Sequence, residues 1–272
     1  VIDGGGPAAL AERAVGRPRH SANLDWLFTE HPYLERFDAA REAGFDAVEL
    51  GFPYPHDAEA IRRRLVAAEL HPVVLNLPAG DWEAGDRGLA CDPARIEEFR
   101  AGVETGIEYA VAVGAEMLNG LSGKIVAGVP REEQWQTLIG NFREAADRVT
   151  AAGLRLLIEQ ANPHDHPGYL LDATAGLERL LAEVGRENVG AQFDCYHVQR
   201  AQGNICESFD ALADRVLNVQ VADVPGRHQP GTGEIDYGFV LEHIAASGYE
   251  GHVGLEYVPM PNTLASLGWL KA

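Results

Sequence analysis

From His20 onward, strand-like and helix-like segments alternate along this chain without a break. The clearest strand signal is Arg155-Leu156-Leu157-Ile158-Glu159, three large apolar residues that run straight into a carboxylate. An apolar run with no polar alternation reads as a strand buried on both faces, as in a parallel sheet covered by helices. Similar runs place strands at residues 21–24, 47–50, 72–76, 116–119, 155–159, 189–194, 216–220 and 253–256. Helical spacing fills the gaps at 32–43, 57–69, 93–113, 131–152, 174–184, 209–214 and 237–246, with a weaker helical signal at 263–270. Asp57 is placed to cap one helix, Pro93 to start another and Gly44 to stop a third.

Eight strands in strict alternation with helices predict a parallel sheet with the helices outside it. The chain length of 272 residues is long for an ordinary domain but normal for a closed (β/α)8 TIM barrel, which needs about 250. The rival, an open doubly wound sheet, is disfavoured because no glycine-rich dinucleotide fingerprint follows the first strand. Residues 1–19 contain Gly4-Gly5-Gly6 and an alanine-rich piece with charges, and read as a loose extension or a cloning remnant, leaving 20–272 as the barrel. No continuous apolar stretch marks that segment as a signal peptide, and no run approaches a membrane span.

Four consecutive strands end in an oxygen-bearing side chain: Glu159, Asp194, Gln220 and Glu256. The intervals are 35, 26 and 36 residues, each one strand–helix unit, so the four groups converge on one rim of a barrel. Barrel enzymes carry their sites at that C-terminal rim. A bare carboxylate at the end of a buried strand is costly unless something pairs with it. Surface salt bridges would explain one such residue; four in successive units point to a single divalent ion. Three carboxylates and an amide oxygen suit Mg²⁺ or Mn²⁺ better than Zn²⁺.

Charge and cysteine content narrow the partners. Lys and Arg total 22 against 41 Asp and Glu, a net charge of −19. Such a surface repels phosphate backbones, which excludes nucleic acid and anionic membranes as partners but not a small anionic substrate. A homo-oligomer is compatible with the same composition. Cys91, Cys195 and Cys206 are odd in number and match no zinc spacing, which fits a reduced cytoplasmic protein with inert thiols.

Several runs carry a specific resemblance. Asn76-Leu77-Pro78-Ala79-Gly80-Asp81-Trp82, Leu157-Ile158-Glu159, Asp194-Cys195-Tyr196-His197, Gln220-Val221-Ala222-Asp223 and Pro230-Gly231-Thr232-Gly233-Glu234-Ile235 resemble the hydroxypyruvate isomerase family of xylose isomerase-like barrels, in unbroken order from about Ser21. The resemblance implies that Glu159, Asp194, Gln220 and Glu256 bind the metal. It implies that Glu159 and Glu256 flank the substrate as acid and base, and that Asn76, His197 and Arg227 contact it. Two departures, Gln160-Ala161 where Pro-Ile is common and Gly120 where Cys is common, are expected beside the pocket and put hydroxypyruvate itself in question. A 2-oxo-tetronate isomerase or a ketose 3-epimerase are the neighbouring alternatives.

The residues agree with isomerase chemistry on their own terms. Moving a carbonyl by one carbon needs a proton taken from one carbon and returned to the next, through an ene-diolate. A divalent ion stabilises that charge as a Lewis acid, and a positioned carboxylate adds roughly 10²–10⁴ as general base. His197 either donates to a substrate oxygen or orients Asp194. Arg227 is a fork-shaped cation suited to an anionic substrate, with Lys124 and Arg87 as further carboxylate binders. Glu234 serves to tie down its glycine-rich loop; Trp82 either closes the pocket or anchors its own loop. The long connection at 78–92, rich in Gly and Asp, has the length of a functional loop. A phosphodiesterase would need a histidine-rich zinc cluster and a basic face, and a non-catalytic barrel has no need of an intact ligand set.

Overall fold

In a computed structural model of the chain, residues 19–271 are described. The expected extension at 1–19 lies outside them except for Arg19, which opens the first strand. Eight strands close into one parallel barrel: β1 (Arg19–Asn23), β2 (Ala47–Glu49), β3 (His71–Asn76), β4 (Met117–Leu121), β5 (Arg155–Glu159), β6 (Val189–Asp194), β7 (Val216–Val221) and β8 (His252–Leu255). Closure comes from β1 pairing with β8 in parallel, Arg19 opposite His252 and Ala22 opposite Leu255.

Nine helices accompany them among the described residues: α1 (Arg36–Glu42), α2 (Ala58–Ala67), α3 (Ile96–Val113), α4 (Arg131–Ala151), α5 (Thr174–Val184), α6 (Cys195–Ala201), α7 (Ile205–Leu212), α8 (Tyr237–Ala246) and α9 (Thr263–Ser266). None is long and apolar enough to cross a membrane. The main core lies between the strands and the helices, with Leu156, Ile158, Phe142, Phe193 and Phe209 among its buried residues.

The two-residue period of a strand puts i and i+2 on one face, and that period builds the barrel interior in layers. Ala47, Val74, Met117 and Leu157 form a small apolar cluster. Two residues further along the same strands stand Glu49, Asn76, Asn119 and Glu159, so an apolar plug is roofed by a polar layer. One glycine makes room for it: a Cβ at Gly254 would lie 2.1 Å from Glu49 Oε1.

Two helices depart from expectation. The helix expected from Pro93 begins at Ile96, because Asp92 folds residues 92–95 into a turn, its Oδ1 accepting from Ala94 N at 2.9 Å and its carbonyl from Arg95 N at 3.1 Å. The single helix expected at 209–214 is two, α6 and α7, with only a 3-10 turn at Ala213–Arg215. The α6 helix starts directly on Asp194, whose carboxylate caps it by accepting from Tyr196 N at 2.7 Å. That cap carries His197 to the rim.

Candidate active site

The C-terminal rim surrounds a cavity of about 1240 Å³, bordered by Glu159, His197, Arg227 and Glu256 and walled by Trp26, Phe52, Trp82 and Tyr196. Glu159 ends β5, Asp194 ends β6, Gln220 lies in β7 and Glu256 follows β8 by one residue. Among the described residues, Glu159, Asp194 and His197 each bring one ligand atom within 4.8 Å of the others, a buried triad that could hold a metal ion.

Each group is held by named partners. Glu159 Oε2 accepts from Asn119 Nδ2 at 2.7 Å and Gln192 Nε2 at 3.1 Å. Burial, reinforced by the charge of Asp194, pushes its carboxyl up to about 7. Burial also raises Asp194 and takes Glu256 well above the usual carboxylate range, against the pull of Arg227 in both cases. His197 is held well below its ordinary value by burial and then by the Arg227 charge, so its ring is neutral.

Arg227 is clamped between two aromatic rings, its guanidinium carbon 4.3 Å from the Trp26 centroid and 4.8 Å from that of Tyr196. Its Nη2 donates to Glu256 Oε2 and lies 3.6 Å from Asp194 Oδ2. The backbone at Arg227 has φ +53°, a left-handed conformation that costs a side-chain-bearing residue about 1–3 kcal/mol. Asp223 holds the two ends of the loop that carries it. That buried carboxylate accepts five backbone N–H groups: Val224 (2.9 Å) and Ile235 (3.1 Å) on Oδ1, and Gly231 (2.9 Å), Thr232 (3.0 Å) and Gly233 (2.8 Å) on Oδ2. Arg227 O in turn accepts from Val258 N at 2.8 Å, which ties the loop to the segment that follows Glu256.

Below these groups lies an amide network that the sequence reading passed over. Glu49, 1% exposed, accepts from Asn218 Nδ2 at 2.8 Å, Gln220 Nε2 at 2.7 Å, Ser21 Oγ at 3.2 Å and Asn23 Nδ2 at 3.4 Å. Gln220 Nε2 also donates to Glu256 Oε1 at 3.4 Å. Both N–H groups of Gln220 are thereby committed to carboxylates, which turns Oε1 away from them. Glu49 carries the same signal as Glu159, a short apolar strand ending in a carboxylate, and could have been found by it.

A family model described as the xylose isomerase-like TIM barrel matches residues 37–272. Hydroxypyruvate isomerase of Escherichia coli (strain K12) is 44% identical over 252 residues, covering 93% of this chain and 98% of that protein. The 2-oxo-tetronate isomerase of Cupriavidus necator is 40% identical over 254 residues, with 93% and 98% covered. The chain belongs to the hydroxypyruvate isomerase family of xylose isomerase-like TIM barrels. Among solved structures, a Brucella melitensis protein described as AP endonuclease, family 2, superposes with a TM-score of 0.91 at 40% identity, covering 94% of this chain and 98% of that one.

One departure from the family's pattern moves away from the pocket. A Cβ at Gly120 would lie 2.5 Å from Phe142 Cε1, so this position faces α4 and reports on packing, not on substrate. Of the pair Gln160-Ala161, Ala161 borders the cavity, while Gln160 is buried without a hydrogen-bond partner among the described residues.

The remaining candidates separate by position. Asn76 borders the cavity and accepts from Asn119 Nδ2 at 2.9 Å. Arg87 borders it too, with its guanidinium 3.8 Å over the Trp82 ring and a hydrogen bond to Trp82 O at 3.0 Å, so Trp82 and Arg87 form one unit of the 78–92 loop. Lys124 does not border the cavity, although its backbone bridges to Tyr169, which does, and its Nζ lies 3.8 Å from where a Cβ would stand at Gly85 in the 78–92 loop. Glu234 accepts from Gln199 Nε2 at 3.3 Å, an exposed tie between its loop and α6. Burial pushes the Cys91 thiol up to about 12 and Cys195 well above its usual value, so neither is an activated nucleophile.

The residues fit a divalent ion on one observation. Asp194 Oδ2 and Gln220 Oε1 are both buried and have no hydrogen-bond partner among the described residues. Orphaned buried oxygens are costly, and two of them on neighbouring strands suit a hard cation with oxygen ligands.

Proposed function

We propose that this isomerase-family enzyme interconverts a small hydroxy-keto acid and its aldehyde isomer, hydroxypyruvate and tartronate semialdehyde, by proton transfer through an ene-diolate. The observation that carries the reading is the pair of buried carboxylates bordering one cavity, Glu159 on β5 and Glu256 just past β8, with Arg227 beside the second. In this reading one glutamate takes the proton from C3 of hydroxypyruvate and the other delivers a proton to C2. The C3 hydroxyl gives up its proton as the carbonyl moves, and the C2 oxygen gains one. In the same reading Arg227 and the His197 ring donate to the substrate's oxygens, Arg227 and Arg87 favour its negative charge, and Asn76 contacts it.

Glu159, Asp194, Gln220 and Glu256 would hold a Mg²⁺ or Mn²⁺ ion, which when bound supplies Lewis-acid stabilisation of the ene-diolate charge. A longer substrate, as in the 2-oxo-tetronate relative, is the second reading; the open cavity continues from Glu159 and Glu256 past Trp82 to Thr105 on α3. A phosphodiester substrate is disfavoured by the net charge of −19 and by a metal-binding cluster with one histidine. The test is turnover in D₂O followed by NMR. The expected result is deuterium on the carbon alpha to the new carbonyl, activity lost on chelation and restored by Mg²⁺ or Mn²⁺. Full activity in demetallated protein, or turnover that never incorporates label, would overturn the mechanism. Phosphodiester cleavage with no keto-acid turnover would overturn the function.

A further inference from the structure

We infer that Asn162 is a positioning residue that locks the tautomer of His197, so that His197 offers the reacting centre an Nε2–H donor and not a lone pair for a metal ion. Asn162 and His197 are both buried, on the segment after β5 and on α6. The backbone N–H of Asn162 points at His197 Nδ1 at 3.2 Å, and the Asn162 side-chain nitrogen lies 2.7 Å from the same atom. A backbone N–H can only donate, so Nδ1 must accept. A neutral imidazole that accepts at Nδ1 carries its proton on Nε2.

The side-chain amide agrees, because its orientation is settled by other bonds. Asn162 Oδ1 accepts from His164 N at 3.1 Å and from Asp165 N at 2.9 Å, while Nδ2 donates to Asp165 Oδ2 at 3.0 Å. Asp165 is held in turn by the Tyr196 hydroxyl at 2.7 Å and by Arg200 at 3.3 Å. Turning the amide over would set its NH₂ against two N–H donors.

The other ring nitrogen faces the site. His197 Nε2 lies 3.6 Å from Asp194 Oδ2 and 3.9 Å from Glu159 Oε1. Both distances exceed a hydrogen bond, so the Nε2–H is committed to neither carboxylate and is available to a third group between them. Metal-ligating histidines almost always donate their second N–H to a carboxylate, carbonyl or water; here the second nitrogen meets two donors. The triad that could hold a metal ion on distance alone thus divides by proton inventory into two carboxylates that can ligate and one histidine that donates. Assigning that donor to a substrate oxygen rests on the proposed isomerase function; the tautomer does not.

The test uses the full chain labelled with ¹⁵N-histidine and long-range ¹H–¹⁵N correlation. The chain has 10 histidines, and the His197 signals are the ones missing from His197→Gln. The expected spectrum shows a protonated Nε2 and an unprotonated Nδ1 that persist when Mg²⁺ or Zn²⁺ is added. A proton on Nδ1, or a coordination shift at Nε2 with either metal, overturns the inference. Asn162→Asp supplies an acceptor in place of the side-chain donor. It is expected to populate the Nδ1–H form, to raise the affinity for Zn²⁺ relative to Mg²⁺ by about 10-fold or more, and to lower kcat by about 10–100-fold. An unchanged His197 tautomer in folded Asn162→Asp removes the Asn162 side chain from the positioning role and leaves the lock to the backbone N–H that the variant keeps. Should that variant not fold, the wild-type spectrum decides alone. Because the spectrum reads the proton directly, failure of the isomerase assay and failure of the tautomer lock remain separate results.

Discussion

Asp223→Asn is the most informative substitution in the loop that carries Arg227. It keeps the shape of a side chain whose two oxygens accept five backbone N–H groups. The better placement of the new amide keeps its oxygen on Gly231, Thr232 and Gly233 and turns its NH₂ toward Val224 N and Ile235 N. Two charge-assisted bonds are then lost, at about 1.5–3 kcal/mol each, or about 3–6 kcal/mol of local stability. Gly233 packs closely on the same turn, where an added Cβ would lie 1.9 Å from Val224 O. The loss therefore falls on residues 224–235, the loop that carries Arg227. Hydrogen exchange of the amides of 224–235 should accelerate by 10²-fold or more, following the 1.4 kcal/mol per decade of the local equilibrium. The barrel strands should exchange as before, and kcat/KM should fall at least tenfold. Unchanged protection at Gly231, Thr232 and Gly233 would refute the reasoning, as would loss of protection spread evenly over the barrel.

The other predictions concern the site and the opposite end of the barrel. Glu159→Gln and Glu256→Gln should each lower kcat by roughly 10²-fold or more with little change in thermal stability; metal occupancy measured in parallel separates lost acid–base function from lost metal, and a near-native kcat removes that residue from the acid–base role. Arg227→Ala takes the cation from Asp194 and Glu256 and should depress kcat/KM by about 10²-fold, with Arg227→Lys recovering little because an ammonium cannot match the stacked planar fork; unchanged kinetics would make Arg227 a structural residue. His252 at the N-terminal end of β8 is held neutral down to about 4, chiefly by burial, whereas an unfolded chain protonates it near 6.5. Between those values the unfolded state binds more protons, so this contribution is complete above pH 6.5 and is lost as pH falls to 4, with a slope of up to about 1.4 kcal/mol per pH unit. Denaturant unfolding of wild type and His252→Gln across that window checks it: the variant should show the shallower acid limb.

Much of the barrel was legible in the sequence because its signals are local. Apolar runs of four to six residues and the caps beside them depend on neighbours within one or two turns, and α5, α8 and the Asp57 cap lie where those signals put them. The convergence of Glu159 and Asp194 followed from one residue position per strand–helix unit, a rule of the alternation itself. Errors arose where a side chain had two uses. Asp194 is both a site residue and the cap of α6, and the second use has no mark in the linear pattern, so the helix carrying His197 is not legible there. Glu49 closes its strand as Glu159 does, but it is tied up in amide donors from β1 and β7 that only the closed barrel brings to it.

Chain order and residue pattern by themselves determined a closed barrel with carboxylates and an amide at one rim. Which atom each group leaves available was decided only by tertiary structure. Gln220 leaves its oxygen without a hydrogen-bond partner because its nitrogen is taken by Glu49, 171 residues earlier in the chain. His197 presents an N–H because the backbone of Asn162, 35 residues away, occupies its other nitrogen. Gly120, next to a cavity residue in the sequence, turns its back on the cavity because alternation along β4 aims it at Phe142. A hydrogen bond is satisfied by any partner of the right polarity at the right distance. Its direction is therefore invisible in a linear pattern and appears only when the folded barrel brings donor and acceptor together.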